Sequence, residues 1–348
     1  MPIKVLIVDD SAFMRNALGK MLSSDPEIAV IGTARDGYDA VQKVADLRPD
    51  LVTMDVEMPR MDGIEALRRI LAEAPVPVIM VSSLTTDGAR ATLEALEIGA
   101  VDFLPKNLSD LSVNIVRIRE ILIDKIKQIA RRRMPPSRRI PRAPAGTPPA
   151  GPVRYRTERR IGIVAIGTST GGPKALQEVI PHLPGDLPVP VIVVQHMPPA
   201  FTGPFAERLN EQSRIAVKEA EDGEVLKAGV VLVAPGRGHL IVQRERTGEC
   251  SVAVAANRPD LIYRPSADLM MVSVAEAYPG RALGVILTGM GNDGEKGMRA
   301  IKATGGRTIA QDEGTCVVYG MSRAVIEAGI ADKVVPIEEV AGEIVNAV

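Results

Sequence analysis

Along residues 1–127, short apolar runs alternate with segments whose apolar side chains recur every three or four positions. KVLIVDD, IAVIGTA, LVTMDV, VPVIMVSS and AVDFLPK read as strands, and the segments between them as amphipathic helices. Strict alternation predicts a parallel sheet wrapped by helices, because parallel neighbours need a crossover and a helix usually supplies it. The pattern breaks at RRRMPPSRRIPRAPAGTPPAGPVRYR, residues 131–156, where proline and arginine replace periodic apolar positions. Such a stretch buries too little apolar surface to offset its ordering entropy, and reads as a semi-extended linker. We draw it at 128–158, between units at 1–127 and 159–348. Alternation then resumes with IGIVAIG, VPVIVVQH, GVVLVAPG, LGVILTGMG and GRTIAQDE. The expected fold class is α/β, with two doubly wound domains.

Composition narrows the picture. A chain of 348 residues, 46% hydrophobic and 24% charged, is long enough for two cores. A formal net charge of -1 provides no global field toward nucleic acid or an anionic membrane, and neither is expected as a partner. The linker arginines read as solvated charge, with attraction to an acidic partner surface as the functional option. Cys250 and Cys316 lie far apart without metal-ligand spacing, which suits a reduced cytosolic protein. The N-terminus meets Asp9 and Asp10 too early for a signal peptide, and no apolar run reaches membrane-spanning length. A cytoplasmic protein without membrane insertion is expected.

Four of the first five strands end in chemistry: Asp9 and Asp10, Asp55, Ser82 and Lys106. In a parallel α/β sheet, ligands bind beyond the carboxyl ends of the strands. Three carboxylates converging there repel one another, so they need raised pKa values or a cation. Mg²⁺ with oxygen ligands fits, leaving Lys106 as a point charge for a phosphoryl oxygen. Taken singly, each residue also has an ordinary role as strand end, helix cap or surface charge. VLIVDDS, VTMDVEMPRMDGIEAL, VIMVSSLT and GAVDFLPK together resemble a response-regulator receiver domain. The resemblance implies a flavodoxin-like sheet of five parallel strands in which Asp55 accepts a phosphoryl group from a histidine kinase. It further implies Mg²⁺ on Asp10, Asp55 and the Glu57 carbonyl, supported by Asp9. Ser82 and Lys106 would hold phosphoryl oxygens, and Phe103 would be the aromatic that turns inward on phosphorylation. Receivers usually follow that lysine with a cis proline, whereas Asn107 stands here and the proline comes early, at Pro105. A non-proline cis bond costs about 3 kcal/mol, so the loop is either trans or strained.

In the second domain, GTSTGGPK raises two phosphate-binding readings, and both fail. A Walker loop needs Gly-Lys-Ser/Thr at its helix start, and the dinucleotide fingerprint needs another glycine spacing and an acidic end to the next strand. A nucleophile reading predicts more. Ser169 on a tight strand-to-helix turn is exposed, its flanking glycines admit a carbonyl, and the helix start set up by Pro173 offers free N–H groups. Such a serine needs a base and a carboxylate behind that base. His196 ends the next strand, and Asp293 follows LGVILTGMG at the same edge. Alone, Ser169 reads as a helix cap, His196 as structural and Asp293 as a turn residue. His182 lies in a loop near prolines and reads as structural, while His239 opens a strand. Met197, Met270, Met271, Met290 and Met298 read as core or cleft filling.

AIGTSTGGPKAL, VVQHMPPAFTGPFAERL, EAEDGE, VAPGRGHL, RPSADLMM, ILTGMGNDGEKGM and AQDEGTCVVYGMSRAVIEAG resemble the catalytic domain of the chemotaxis protein-glutamate methylesterase family, CheB. The resemblance implies a mostly parallel, Rossmann-like esterase domain with a Ser169, His196 and Asp293 triad. Thr170, through backbone and side chain, and the Met290 backbone would lie near the oxyanion. It implies a phosphorylation-activated, monomeric enzyme that demethylates glutamate γ-methyl esters on chemoreceptors and deamidates receptor glutamine, with no metal in the esterase step. The receiver would cover the esterase cleft until Asp55 is phosphorylated. Thr168 stands where the family commonly has alanine and could crowd the turn; Ser322 stands where GMPR is common. Two other classes remain open: a receiver whose output domain only binds a partner, and a phosphotransfer-controlled hydrolase for a small ester.

Overall fold

A computed structural model of the chain describes residues 1–83, 85–106, 111–131, 160–246, 248–256 and 263–348. β1 Ile3–Val8, β2 Ile28–Ala34, β3 Leu51–Asp55, β4 Val78–Ser82 and β5 Asp102–Pro105 form a parallel sheet in the order β2-β1-β3-β4-β5. The helices between and after them are α1 Ala12–Leu22, α2 Gly37–Leu47, α3 Gly63–Glu73, α4 Thr86–Ile98 and α5 Leu111–Arg131. Side chains alternate across a strand, so Leu6, Val8, Val52 and Met54 join one core while Val5, Ile7 and Leu51 join another. Both faces are buried, which is why these strands read as continuous apolar runs. Ser11, Asp36, Asp62 and Thr85 start four of the helices, each accepting the N–H three residues on. α5 runs past residue 127 to Arg131, carried by buried Leu122, Ile126 and Ile129. Residues 132–158 of the expected linker, and Asn107, fall outside the described residues.

The second unit numbers on from β6 Ile163–Thr168, β7 Val191–Gln195, β8 Ala216–Glu219, β9 Val230–Val233, β10 His239–Arg244 and β11 Cys250–Ala255 to β12 Ala282–Ile286, β13 Arg307–Gln311 and β14 Lys333–Val335. Seven of these strands make a parallel sheet in the order β14-β13-β12-β6-β7-β9-β8, and β10 and β11 form an antiparallel pair beside it. α6 Gly172–Val179, α7 Pro199–Gln212, α8 Ala267–Ala277, α9 Glu295–Ala303, α10 Met321–Glu327 and α11 Ile337–Ala347 complete it. The five strands expected from sequence are β6, β7, β9, β12 and β13. The unexpected β8 and β14 are short, partly exposed strands at the sheet edges.

Each sheet has one point where the connections reverse direction: between β1 and β3 in the first, and between β12 and β6 in the second. Crevices open at such points, and both sets of candidate residues lie at them. The two units meet where α4 packs on α7 and where the Phe103 ring stacks on Phe201, with centroids 4.5 Å apart. Cys250 and Cys316 are buried and not joined in a disulfide. No helix among the described residues is long and apolar enough to cross a membrane.

Candidate functional site

Ser169 follows β6 directly. Its N–H donates to the Thr288 carbonyl at 3.1 Å, and its carbonyl accepts from the Gly172 N–H at 2.8 Å, which closes the turn into α6. Gly171 takes φ 76°, a left-handed conformation that suits glycine, and a Cβ there would stand 2.4 Å from that of Val317. His196 follows β7 and is tied back by its N–H to the Thr168 carbonyl. Gln195 bonds the carbonyls of Ser169 at 3.0 Å and His196 at 3.2 Å, so one amide sets the spacing of both turns.

The three predicted side chains come together. His196 Nδ1 lies 3.1 Å from Ser169 Oγ, and His196 Nε2 lies 2.7 Å from Asp293 Oδ2. The strand order explains which ring nitrogen meets which partner. β6 lies between β7 and β12, so the nitrogen nearer the His196 backbone meets Ser169 next door, and the far nitrogen crosses to the loop after β12. With Asp293 ionised, Nε2 carries the proton donated to it and Nδ1 presents a lone pair to the serine hydroxyl.

Asp293 is held at the N-terminus of α8. Oδ1 accepts from Ser266 Oγ at 2.9 Å and the Asp268 N–H at 3.0 Å, and Oδ2 accepts from the Ala267 N–H at 2.7 Å. Burial works to raise its pKa, but His196 and these backbone donors outweigh burial and hold the carboxyl below its ordinary value. Asp268 accepts from the N–H groups of Gly294 and Gly297 at 2.9 Å each, fixing the turn after Asp293. Burial, with Asp293 alongside, pushes the Asp268 carboxyl up.

Thr170 is buried, and its Oγ1 has no hydrogen-bond partner among the described residues. Met290 is reached through Gly289, where a Cβ would stand 3.0 Å from Ser169 Cβ, so only glycine lets that backbone approach the serine so closely. Thr168 does not crowd the turn. Its hydroxyl donates to the Thr288 carbonyl at 2.8 Å and ties β6 to the segment after β12. Ser322 is buried, its hydroxyl facing the Ile286 carbonyl at 3.5 Å. Of the other histidines, His182 is in the 3-10 turn after α6, and buried His239 opens β10 and accepts from the Ser266 N–H at 3.2 Å.

At the first sheet's edge, carboxylate oxygens of Asp9, Asp10 and Asp55 lie within 4.8 Å of one another, a donor set that fits a hard divalent cation. Lys106 Nζ stands 2.9 Å from Asp9 and 2.6 Å from Asp55. Burial pushes Asp55 up to about 6 despite that ammonium, with Asp9 adding to the rise. Burial works against the charge on Lys106 too, yet its two carboxylate partners raise its pKa overall. Glu57 is exposed beside them, its N–H 3.4 Å from Asp55 Oδ1. Ser82 is buried and its hydroxyl bonds the Gly88 carbonyl in α4 at 3.1 Å.

Residues 164–344 match the family model of the CheB methylesterase, and residues 5–115 match that of the response regulator receiver domain. The chain is 51% identical to protein-glutamate methylesterase/protein-glutamine glutaminase 2 of Nitratidesulfovibrio vulgaris, over 99% of each chain. The chain belongs to the CheB methylesterase family. A relative of the same kind in Pyrococcus horikoshii is 48% identical over 99% of this chain and 94% of its own. The CheB methylesterase catalytic domain of Thermotoga maritima, a crystal structure, is 44% identical with a TM-score of 0.53, covering 55% of this chain and all of that one.

Within this CheB-type chain, sequence reasoning missed Gln195, Tyr263, Ser266 and Asp268. The Ser-Ala-Asp of RPSADLMM carried a signal, because serine before an apolar helical run is a capping pattern. It also missed the junction between the units. Glu97 at the end of α4 accepts a two-pronged ion pair from Arg208, a bond from Gln212 at 2.6 Å and one from Gln177 at 3.2 Å. The hydrogen bond from Arg208 holds the Glu97 carboxyl below its ordinary value against the opposing effect of burial. On the other side, Val318 shares an apolar cluster with α5, and Val317 and Met290 pack against it. A cavity of about 860 Å³ there is lined by Gln128 of α5 together with Gly291, Asn292, Val317, Tyr319 and Arg323.

Proposed function

We propose that the protein is a cytoplasmic, phosphorylation-activated methylesterase of chemoreceptors, with a receiver at 1–131, whose last helix takes in the first residues of the expected linker, a linker at 132–158 and a catalytic domain at 159–348. The observation that carries the catalytic part is the line from Ser169 Oγ through both nitrogens of His196 to Asp293. Ser169 attacks the γ-carbonyl of a glutamate methyl ester while His196 Nδ1 takes the hydroxyl proton. Thr170 and the Met290 backbone stabilise the oxyanion. The C–OCH₃ bond breaks, Nδ1 returns the proton to the departing oxygen, and methanol leaves. Water then gives Nδ1 a proton as it attacks the acyl carbon, the bond from that carbon to Ser169 Oγ breaks, Nδ1 returns the proton to Oγ, and the glutamate side chain leaves as an acid that ionises in water. With receptor glutamine the same steps release ammonia. Asp293, kept ionised by the α8 N-terminus, holds the imidazole's orientation and stabilises the imidazolium.

The receiver supplies control. Asp55 is the phosphoryl acceptor from a histidine kinase. Asp10, Asp55 and the Glu57 carbonyl would hold Mg²⁺, with Asp9 in support, and the ion would neutralise phosphoryl charge. Lys106 and Ser82 hold the phosphoryl oxygens. For Ser82 this means leaving the Gly88 carbonyl, which loosens the start of α4. Phe103, stacked on Phe201, and Glu97, clamped by Arg208, belong to that same contact, so a shift of α4 and β5 weakens the junction that lays α5 beside the catalytic loops. A full reversal of a 1:99 equilibrium needs about 5.5 kcal/mol, so one phosphoryl group gives graded opening. The test is methanol release from methylated receptor membranes, with a Ser169→Ala variant that loses it and an Asp55→Ala variant that loses only the response to a phosphoryl donor.

A further inference from the structure

We propose that Tyr263 is a positioning residue for the esterase reaction: its ring fixes the tilt of the His196 imidazole. This inference rests on the triad reading above. The Tyr263 ring lies 4.5 Å from that of His196, centroid to centroid, with 9° between the planes. The far end of the same tyrosine comes close to Gly291, for a Cβ built there would stand 2.3 Å from Tyr263 Oη. Tyr263 is therefore set between the imidazole and the loop that runs from Met290 to Asp293.

His196 needs a third support for a geometric reason. Its two hydrogen bonds run to Ser169 and Asp293 from opposite edges of the ring, and together they define an axis. With the covalent tether at Cβ, they leave only small out-of-plane tilts of the ring, and such tilts carry the Nδ1 lone pair off line with the serine hydroxyl. His196 lies just after β7, where its backbone is tied to Thr168 and Gln195 but its ring projects beyond the strand. A near-parallel aromatic face removes the remaining freedom through contact over the whole ring, and its quadrupole favours the imidazolium formed during proton transfer. The phenolic oxygen is not required for either effect, so phenylalanine should substitute.

The test uses the full-length, phosphorylated protein and methylated receptor membranes, with Tyr263→Phe, Tyr263→Leu and Tyr263→Met. The expected result is that Leu and Met each lower kcat by about three- to tenfold with KM held to about twofold, while Phe stays near wild type. The chain has 3 histidines, so His196 ring protons are assignable by NMR. They should resonate upfield from the stacked ring in wild type and Tyr263→Phe and lose that shift in Leu and Met. Wild-type kcat in both aliphatic variants, an unmoved His196 resonance in them, or a Phe variant as impaired as Leu would each overturn the proposal. A Ser169→Ala control separates the two readings. Activity surviving in it contradicts the triad itself, whereas its loss beside normal Tyr263→Leu and Tyr263→Met turnover contradicts only the role of Tyr263.

Discussion

Two carboxylates at equivalent places in two parallel sheets have been given opposite electrostatic fates. Asp55 ends β3 beside the reversal point of the first sheet, buried near Asp9, and its pKa is pushed up to about 6. Asp293 follows β12 beside the reversal point of the second, equally buried, and is held below its ordinary value by His196 and the α8 N-terminus. The difference is hydrogen-bond donors. Asp293 has a full set of donors and is preorganised, which suits a group that must stay ionised through every turnover. Asp55 has one ammonium, shared with Asp9, and a long bond from the Glu57 N–H at 3.4 Å, which leaves the edge short of positive charge and responsive to a cation or to covalent modification. One edge is arranged for constancy and the other for change.

The largest effect expected is at the satisfied edge: Ser169→Ala should lower methanol release by about a thousandfold or more, and Asp293→Asn by about 10⁴. Activity close to wild type in either would remove the triad. At the other edge the contrast predicts a gain of stability. Asp55→Asn should raise unfolding free energy at pH 7 by about 2 kcal/mol, because the ionised carboxylate costs the folded state above its raised pKa. The sign fixes the pH window. Wild type recovers that cost as pH falls from about 6 toward 3.8, so denaturant midpoints of the two proteins should converge near the lower value. A gain that instead grew on acidification would contradict the assignment.

A smaller effect sharpens the account of Asp293. Ser266→Ala removes one donor from its carboxylate and should reduce kcat by about tenfold while leaving receptor affinity unchanged. The smallest effect concerns the contact between the units: Glu97→Gln weakens the clamp from Arg208 and should raise basal turnover of unphosphorylated protein by about fivefold. Basal turnover unchanged or lowered would show that the Glu97 contact does not restrain the cleft.

What could be read from sequence followed from local regularity. Continuous apolar strands bounded by polar residues marked both sheets, and strand ends then placed Ser169, His196, Asp293 and Asp55 at their edges. Elements without such regularity were illegible. β8 and β14 are short and half exposed, so they lack the apolar run that marked their neighbours. The α8 cradle joins Ser266 and Asp268 to a carboxylate 25 or more residues away, and only packing of α8 on α9 brings them together. Glu97 and Arg208 face each other across the junction of the two units, 111 residues apart, and nothing in either helix announces the other. Tyr263 was passed over because stacking on a histidine leaves no periodic trace.

The central claim is that the unsatisfied edge governs the satisfied one within a single chain. Methanol release from methylated receptor membranes tests it most directly, with wild type, Ser169→Ala and Asp55→Ala compared with and without a phosphoryl donor and Mg²⁺. The account predicts release that rises with the donor in wild type, is absent in Ser169→Ala, and stays at its basal level with or without donor in Asp55→Ala. Donor-stimulated release persisting in Asp55→Ala, or no release from wild type whose Asp55 is phosphorylated, would contradict it.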